Sequence, residues 1–142
     1  MNEKVLLIDD ELEFIETLGE RMKSRGMEVS STVSPKEGLD IVENESFDAI
    51  ILDLKMPEMD GMEVLKRLKN KNPDIQVILL TGNATVQKGI EAMKLGAMDL
   101  IEKPVDIAAL TEKIKKAQAR KMILVEKKTQ EKIEKIINSK AW

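Results

Sequence analysis

Four short, largely apolar runs in the chain stop at side chains able to do chemistry. Val5-Leu6-Leu7-Ile8 stops at Asp9-Asp10, the run from Phe47 to Leu52 stops at Asp53, the run from Ile75 to Leu80 stops at Thr81, and the run from Met98 to Ile101 is closely followed by Lys103. Such strand-like runs, each followed by apolar residues at helical spacing, read as strands of a parallel sheet, and Val5-Leu6-Leu7-Ile8, apolar throughout, as one covered on both faces. Ligands of such a sheet sit outside the carboxyl ends of its strands. Three carboxylates, one hydroxyl and one ammonium would therefore meet at one edge. Crowded carboxylates must take up protons or a cation, and an all-oxygen, solvent-open site suits magnesium. A carboxylate beside such a metal can attack phosphorus and form an acyl phosphate. The Lys103 ammonium and the Thr81 hydroxyl could then meet the charge that develops on the phosphoryl oxygens. The chemistry that uses all five groups is phosphoryl transfer to Asp53.

Taken singly, each residue has a plainer reading. Asp9-Asp10 can cap a helix, Asp60-Gly61 can make a turn, Lys103 can be a surface lysine beside a helix-starting proline, and Thr81 can satisfy a neighbouring backbone group. Met56, Met59 and Met62 read as loop and core packing. The joint placement at successive strand ends is what favours a site.

The elements that must position these groups alternate. After Asp10, apolar positions Leu12, Ile15, Leu18 and Met22 mark a helix ending near Gly26. A more polar strand, Met27 to Thr32, suits a sheet edge and precedes a helix opening at Ser34-Pro35. Met62, Leu65 and Leu68 mark the third helix, and Val86, Ile90 and Met93 the fourth. From Val105 the pattern is helical almost to the terminus. Five β-α units imply right-handed crossovers and an α/β three-layer sandwich.

Composition narrows the function. The 142 residues suit one domain plus an appendage. No cysteine means no disulfide, thiolate metal site or cysteine nucleophile, and the absence of histidine removes triad hydrolysis and histidine phosphotransfer by this chain alone. No apolar run nears the roughly 18 residues of a membrane span, and no signal peptide is apparent, so a cytoplasmic location is expected. Residues 1–104 carry 13 Lys/Arg against 21 Asp/Glu, a net charge of −8, while residues 105–142 carry 10 against 5, a net charge of +5. The acidic body argues against direct nucleic-acid binding, and the tail reads as a solvated helix.

The stretches Lys4-Val5-Leu6-Leu7-Ile8-Asp9-Asp10-Glu11, Asp53-Leu54-Lys55-Met56-Pro57-Glu58-Met59-Asp60-Gly61, Thr81-Gly82, Gly96-Ala97-Met98-Asp99 and Lys103-Pro104 together resemble the receiver domains of bacterial response regulators. The resemblance covers residues 4–104 in order and spacing. It implies a flavodoxin-like fold with five parallel strands in the order 2-1-3-4-5. It also implies that Asp53 is phosphorylated by a sensor histidine kinase or a phosphotransfer protein. Asp10, Asp53 and the backbone carbonyl of Lys55 would be direct Mg2+ ligands, Asp9 would act through a bound water, and Thr81 and Lys103 would be the switch hydroxyl and the phosphate-pairing lysine. Where the family usually carries a tyrosine or phenylalanine, three residues before the lysine, this chain has Leu100. Signal is then expected to run through Thr81 and the helix that begins near Ala84, toward a downstream output protein.

Beyond the last expected helix, which carries Ile107, Leu110, Ile114 and Ala117, the chain continues to Trp142 without Gly or Pro. The expected division is a receiver domain over 1–118 and a helical extension over 119–142. Two apolar clusters in that extension, Met122-Ile123-Leu124-Val125 and Ile133, Ile136 and Ile137, favour packing against a second copy or a partner over a frayed end. Three readings of the whole stay open: a stand-alone signalling switch, the N-terminal input domain of a longer DNA-binding transcriptional regulator, and, more weakly, an aspartyl-phosphate phosphatase. The phosphatases need an acid-base carboxylate two residues beyond the nucleophile, where this chain has Lys55.

Overall fold

The computed structural model describes residues 2–140, without the side chain of Lys140; Met1, Ala141 and Trp142 lie outside the described residues, and with them the end of the expected extension. Five strands alternate with five helices: β1 (Lys4–Ile8), α1 (Leu12–Ser24), β2 (Glu28–Thr32), α2 (Pro35–Asn44), β3 (Ala49–Asp53), α3 (Gly61–Lys71), β4 (Val77–Thr81), α4 (Val86–Lys94), β5 (Asp99–Glu102) and α5 (Ile107–Lys140). All strand pairs are parallel, in the order β2-β1-β3-β4-β5, as expected.

The strands form where the sequence is apolar on both faces. Every residue of β3 and β4 is buried, and so is β1 after Lys4, whereas β2 at the edge is only partly covered. Alternate residues of each strand point to opposite faces. Leu6, Ile8, Ile50, Leu52 and Leu79 pack with Leu65 and Leu68 of α3 on one face, and Val5, Leu7, Ile51, Ile78 and Leu80 pack with Ile15 and Met22 of α1 and Leu110 and Ile114 of α5 on the other. Polar caps fix where helices begin. The Ser34 hydroxyl accepts from the Glu37 N–H at 3.2 Å, with Pro35 at the first helical position, and Thr85 Oγ1 accepts from the Lys88 N–H at 3.1 Å. The turn after α3 is closed by Lys69, whose ammonium donates to the carbonyls of Pro73 at 2.6 Å and Ile75 at 2.9 Å.

Three expectations shift. Phe47 and Ile75 precede their strands instead of opening them, and α5 starts at Ile107 instead of Val105. The apolar line that marked α4 does not face the core: Val86, Ile90 and Met93 are 82%, 45% and 48% exposed, and Ala92 is the helix's buried residue. Among the described residues no helix is long and apolar enough to cross a membrane.

Gly61 couples this packing to the edge of the sheet. A Cβ there would stand 2.4 Å from the Asp53 carbonyl oxygen and 2.6 Å from the Leu54 Cα, both backbone atoms that cannot swing aside. The Gly61→Ala variant is expected to lose about 1 to 3 kcal/mol of stability in urea unfolding. Gly82→Ala, which meets nothing within 4 Å, should unfold like the parent.

Candidate functional site

The carboxyl ends of β1, β3, β4 and β5 carry Asp9, Asp53, Thr81 and Lys103, because the parallel register brings these ends level: Ile8 pairs with Leu52, Asp53 with Leu80, and Thr81 with Glu102. One oxygen from each of Asp9, Asp10 and Asp53 lies within 4.8 Å of the others. Asp9 and Asp53 are buried, at 2% and 5% exposure, while Asp10 faces solvent. The backbone holds the loop after β3: the Leu54 N–H donates to the Leu80 carbonyl at 2.9 Å, and the Gly61 N–H to the Leu54 carbonyl at 2.9 Å. Asp60 then caps α3, accepting from the Met62 N–H at 3.0 Å.

Lys103 bridges the acids. Its ammonium lies 2.9 Å from Asp9 Oδ2, 3.2 Å from Asp53 Oδ1 and 3.3 Å from Glu11 Oε1. The Phe14 ring lies below it, 4.1 Å from centroid to nitrogen. The Lys103 N–H donates to the Thr81 carbonyl at 2.8 Å, which ties the end of β5 to β4, and the Lys103–Pro104 peptide is cis.

One lysine does not neutralise this cluster. Burial pushes the Asp53 carboxyl from 3.8 up to about 6, the Asp9 charge adds to the push, and Lys103 only partly opposes it. Asp9 is also raised by burial, against the Glu11 N–H and the lysine. Burial pulls Lys103 down, yet its two carboxylate neighbours more than compensate and hold it above its usual range. A buried pair of acids with a third at the rim, all oxygen and short of positive charge, fits a hard divalent cation.

Asp9, Asp10, Asp53 and Lys103 thus come together where the sequence placed them. Lys55 lies two residues past Asp53 in the anchored loop, with its side chain exposed. Thr81 is buried at the end of β4, but its hydroxyl turns into its own loop, accepting from the Asn83 N–H at 3.2 Å. Three neighbours were not singled out from sequence. Glu11 and Phe14 meet Lys103 only because its side chain reaches from the end of β5 over the edge of the sheet to the start of α1. The Glu102 carboxylate accepts from the Ala84 N–H at 2.7 Å and so holds the loop between β4 and α4. The signal for that last contact was present in the pairing of Glu102 with Thr81, which only the strand register reveals.

Comparison with known proteins points to one family. The family described as response regulator receiver domain matches residues 5–115. The chain is 36% identical over 116 residues to sporulation initiation phosphotransferase F of Bacillus subtilis, covering 82% of this chain and 94% of that one. It is 34% identical over 118 residues to the transcriptional regulatory protein ZraR of Escherichia coli, covering 83% of this chain but only 27% of that one. A receiver domain crystal structure from Clostridium thermocellum superposes with a TM-score of 0.81 at 38% identity, over 86% of this chain and 98% of that one. With the order of its strands, the acidic edge and these matches in agreement, the chain belongs to the receiver domains of response regulators.

Proposed function

We propose that Asp53 is the phosphoryl acceptor of this receiver and that its phosphorylation switches partner binding. The observation that carries this is the set of Asp9, Asp10 and Asp53 oxygens within 4.8 Å, with the Lys103 ammonium bridging two of them. Phosphorylation of an aspartate and magnesium at an acidic pocket are general features of the family. In this chain Asp10, Asp53 and the Lys55 carbonyl would hold Mg2+ directly, with Asp9 acting through water, and the ion would supply positive charge for the phosphoryl oxygens.

The chain's own groups do the rest. An Asp53 oxygen attacks phosphorus as the donor's bond to phosphorus breaks, and an acyl phosphate remains on the aspartate. Lys103 already reaches Asp53 Oδ1 and needs little movement to pair with a phosphoryl oxygen on the same carboxylate. The Thr81 hydroxyl donates weakly to the Asn83 carbonyl at 3.4 Å and must turn away from it to donate to the phosphate, which shifts the loop that Glu102 holds at Ala84. That loop opens α4, whose exposed Val86, Ile90 and Met93 form the surface that would change. Leu100, half-buried beside α4, stands where the aromatic rotamer switch of the family would be, so the threonine loop carries the signal.

The donor is a sensor histidine kinase or a phosphotransfer protein, since the chain lacks histidine of its own. The receiver acts as a cytoplasmic switch on an output protein, not as a turnover enzyme, and a second copy of the chain is a further partner through the extension of α5.

Three measurements test this reading. Acetyl phosphate with Mg2+ should add one phosphoryl group at Asp53, located by borohydride trapping and mass spectrometry; label on another residue, or full labelling of Asp53→Asn, would sink the assignment. In EDTA, stability should fall as pH rises from the ordinary carboxylate range through about 6, because the folded state holds the Asp53 proton more tightly than the unfolded chain does. Asp53→Asn should flatten that fall, Mg2+ should reverse it, and Asp10→Asn should weaken the rescue by Mg2+. Lys103→Ala should still accept phosphate, more slowly, yet show no change in output-partner affinity on phosphorylation; equal switching by variant and parent would remove the role.

A further inference from the structure

α5 carries two faces with different fates. Leu110, Ile114 and Ala117 are buried against the sheet. At about 3.6 residues per turn the same face continues through Lys121 and Lys128. These tie the helix to the floor of the body: the Lys121 ammonium lies 2.7 Å from the Ser46 hydroxyl and 3.7 Å from Asp48 Oδ1, and Lys128 pairs with Asp74.

A second line lies about a quarter of a turn around the helix. Met122, Val125, Ile133 and Ile136 are 50%, 54%, 51% and 55% exposed, with Thr129 between them. Positions 122 and 133, and 125 and 136, are each eleven residues apart, so the line keeps to one face over three turns of helix. Val125 also lines the cleft between α5 and the body beside Phe47 and Ile75, yet among the described residues every side chain of the line stays about half exposed, and large aliphatic side chains recurring on one side of a solvated helix mark a contact surface.

Charge says what covers the line. Along its edge on the body side run Lys121, Lys128 and Lys132, and along the other edge run Glu126, Gln130 and Glu134. Two copies of such a helix can meet face to face in two ways. With the twofold axis along the helices, each copy's lysine edge lies beside the other's glutamate edge. With the axis across the helices, lysine faces lysine and glutamate faces glutamate. Opposite charges flanking an apolar seam favour the first arrangement, and like charges disfavour the second.

We propose that a second copy of this chain docks on α5 in parallel, through the line of Met122, Val125, Ile133 and Ile136. This deepens the self-association named above by fixing its face and its direction. Each body sits on the lysine side of its own helix, so the axis sends the two bodies to opposite sides of the pair and leaves both acidic edges open.

The chain's lack of cysteine makes the test direct. In the otherwise full chain, Ile133→Cys and Ile136→Cys should each form disulfide-linked dimers on mild oxidation. Glu131→Cys, on the far side, should yield at least about tenfold less, since the bond needs Cβ atoms within about 4.5 Å. Light scattering should show a dimer for the parent and a monomer for Ile133→Glu combined with Ile136→Glu. That variant should still take phosphate on Asp53 as the parent does, which shows it is folded. A monomeric parent at high micromolar concentration would overturn the proposal and hand the surface to another partner's helix. A mixture of Met122→Cys and Ile136→Cys that cross-links mainly between unlike chains would overturn the parallel direction. An unchanged dimer in the glutamate variant would overturn the face. Loss of Asp53 labelling in the parent sinks the acceptor assignment alone, because none of the cross-linking results depends on it.

Discussion

Three carboxylates held together against their own repulsion set the terms for the rest of this molecule. Two are buried, and one ammonium, Lys103, lies between them. Left to itself the cluster would spread apart or protonate: burial first, and the Asp9 charge after it, push the Asp53 carboxyl upward, with Lys103 opposing only in part. Such an arrangement persists only where the surrounding structure costs more to deform than the repulsion can release. Its unspent attraction for positive charge is what makes it useful: a cation or an arriving phosphoryl group with its metal finds the site already assembled.

The sheet supplies that stiffness. β1, β3 and β4 are buried on both faces, so the ends that carry Asp9 and Asp53 cannot splay without opening a core packed from two sides. Backbone bonds reinforce the edge where side chains cannot: Leu54 to Leu80, Gly61 to Leu54, and Lys103 to Thr81. The close approach of Gly61 to Asp53 shows how little room the loop has. The other side of the site is held more lightly, by the hydrogen bonds between Thr81 and Asn83, from Ala84 to Glu102 and from Lys88 to Asn83. The rigid half carries Asp53 and the softer half carries Thr81.

Much of this was legible in the order of the residues, for identifiable reasons. Apolar runs that stop at an acid announce both a strand and what stands at its end, so Asp9, Asp10, Asp53 and Lys103 could be grouped before any coordinates. What stayed hidden depends on register or rotamer. The contact of Glu102 with Ala84 spans two elements, and nothing in either segment points to the other. The Thr81 hydroxyl direction is a single torsion. α4 misled in a more instructive way: Val86, Ile90 and Met93 have the spacing of a buried face, and the physics behind the pattern is sound, but the surface they prepare is an outer one. Periodicity reports that a helix has an apolar side without saying which neighbour will use it.

α5 is one uninterrupted rod from the core beneath the sheet to the end of the described chain. Its first turns are clamped by Leu110, Ile114 and Ala117, and Lys121 and Lys128 brace it where it leaves the body. A rod fixed at one end is a lever. From Leu110 to Ile136 it spans about 39 Å at 1.5 Å per residue, so a tilt of about 5° at the clamp displaces the far end by about 3 Å. Movements too small to repack the core thereby become displacements larger than a carbon–carbon bond at the tip, and the two lysine braces set how much of that tilt the rod is allowed.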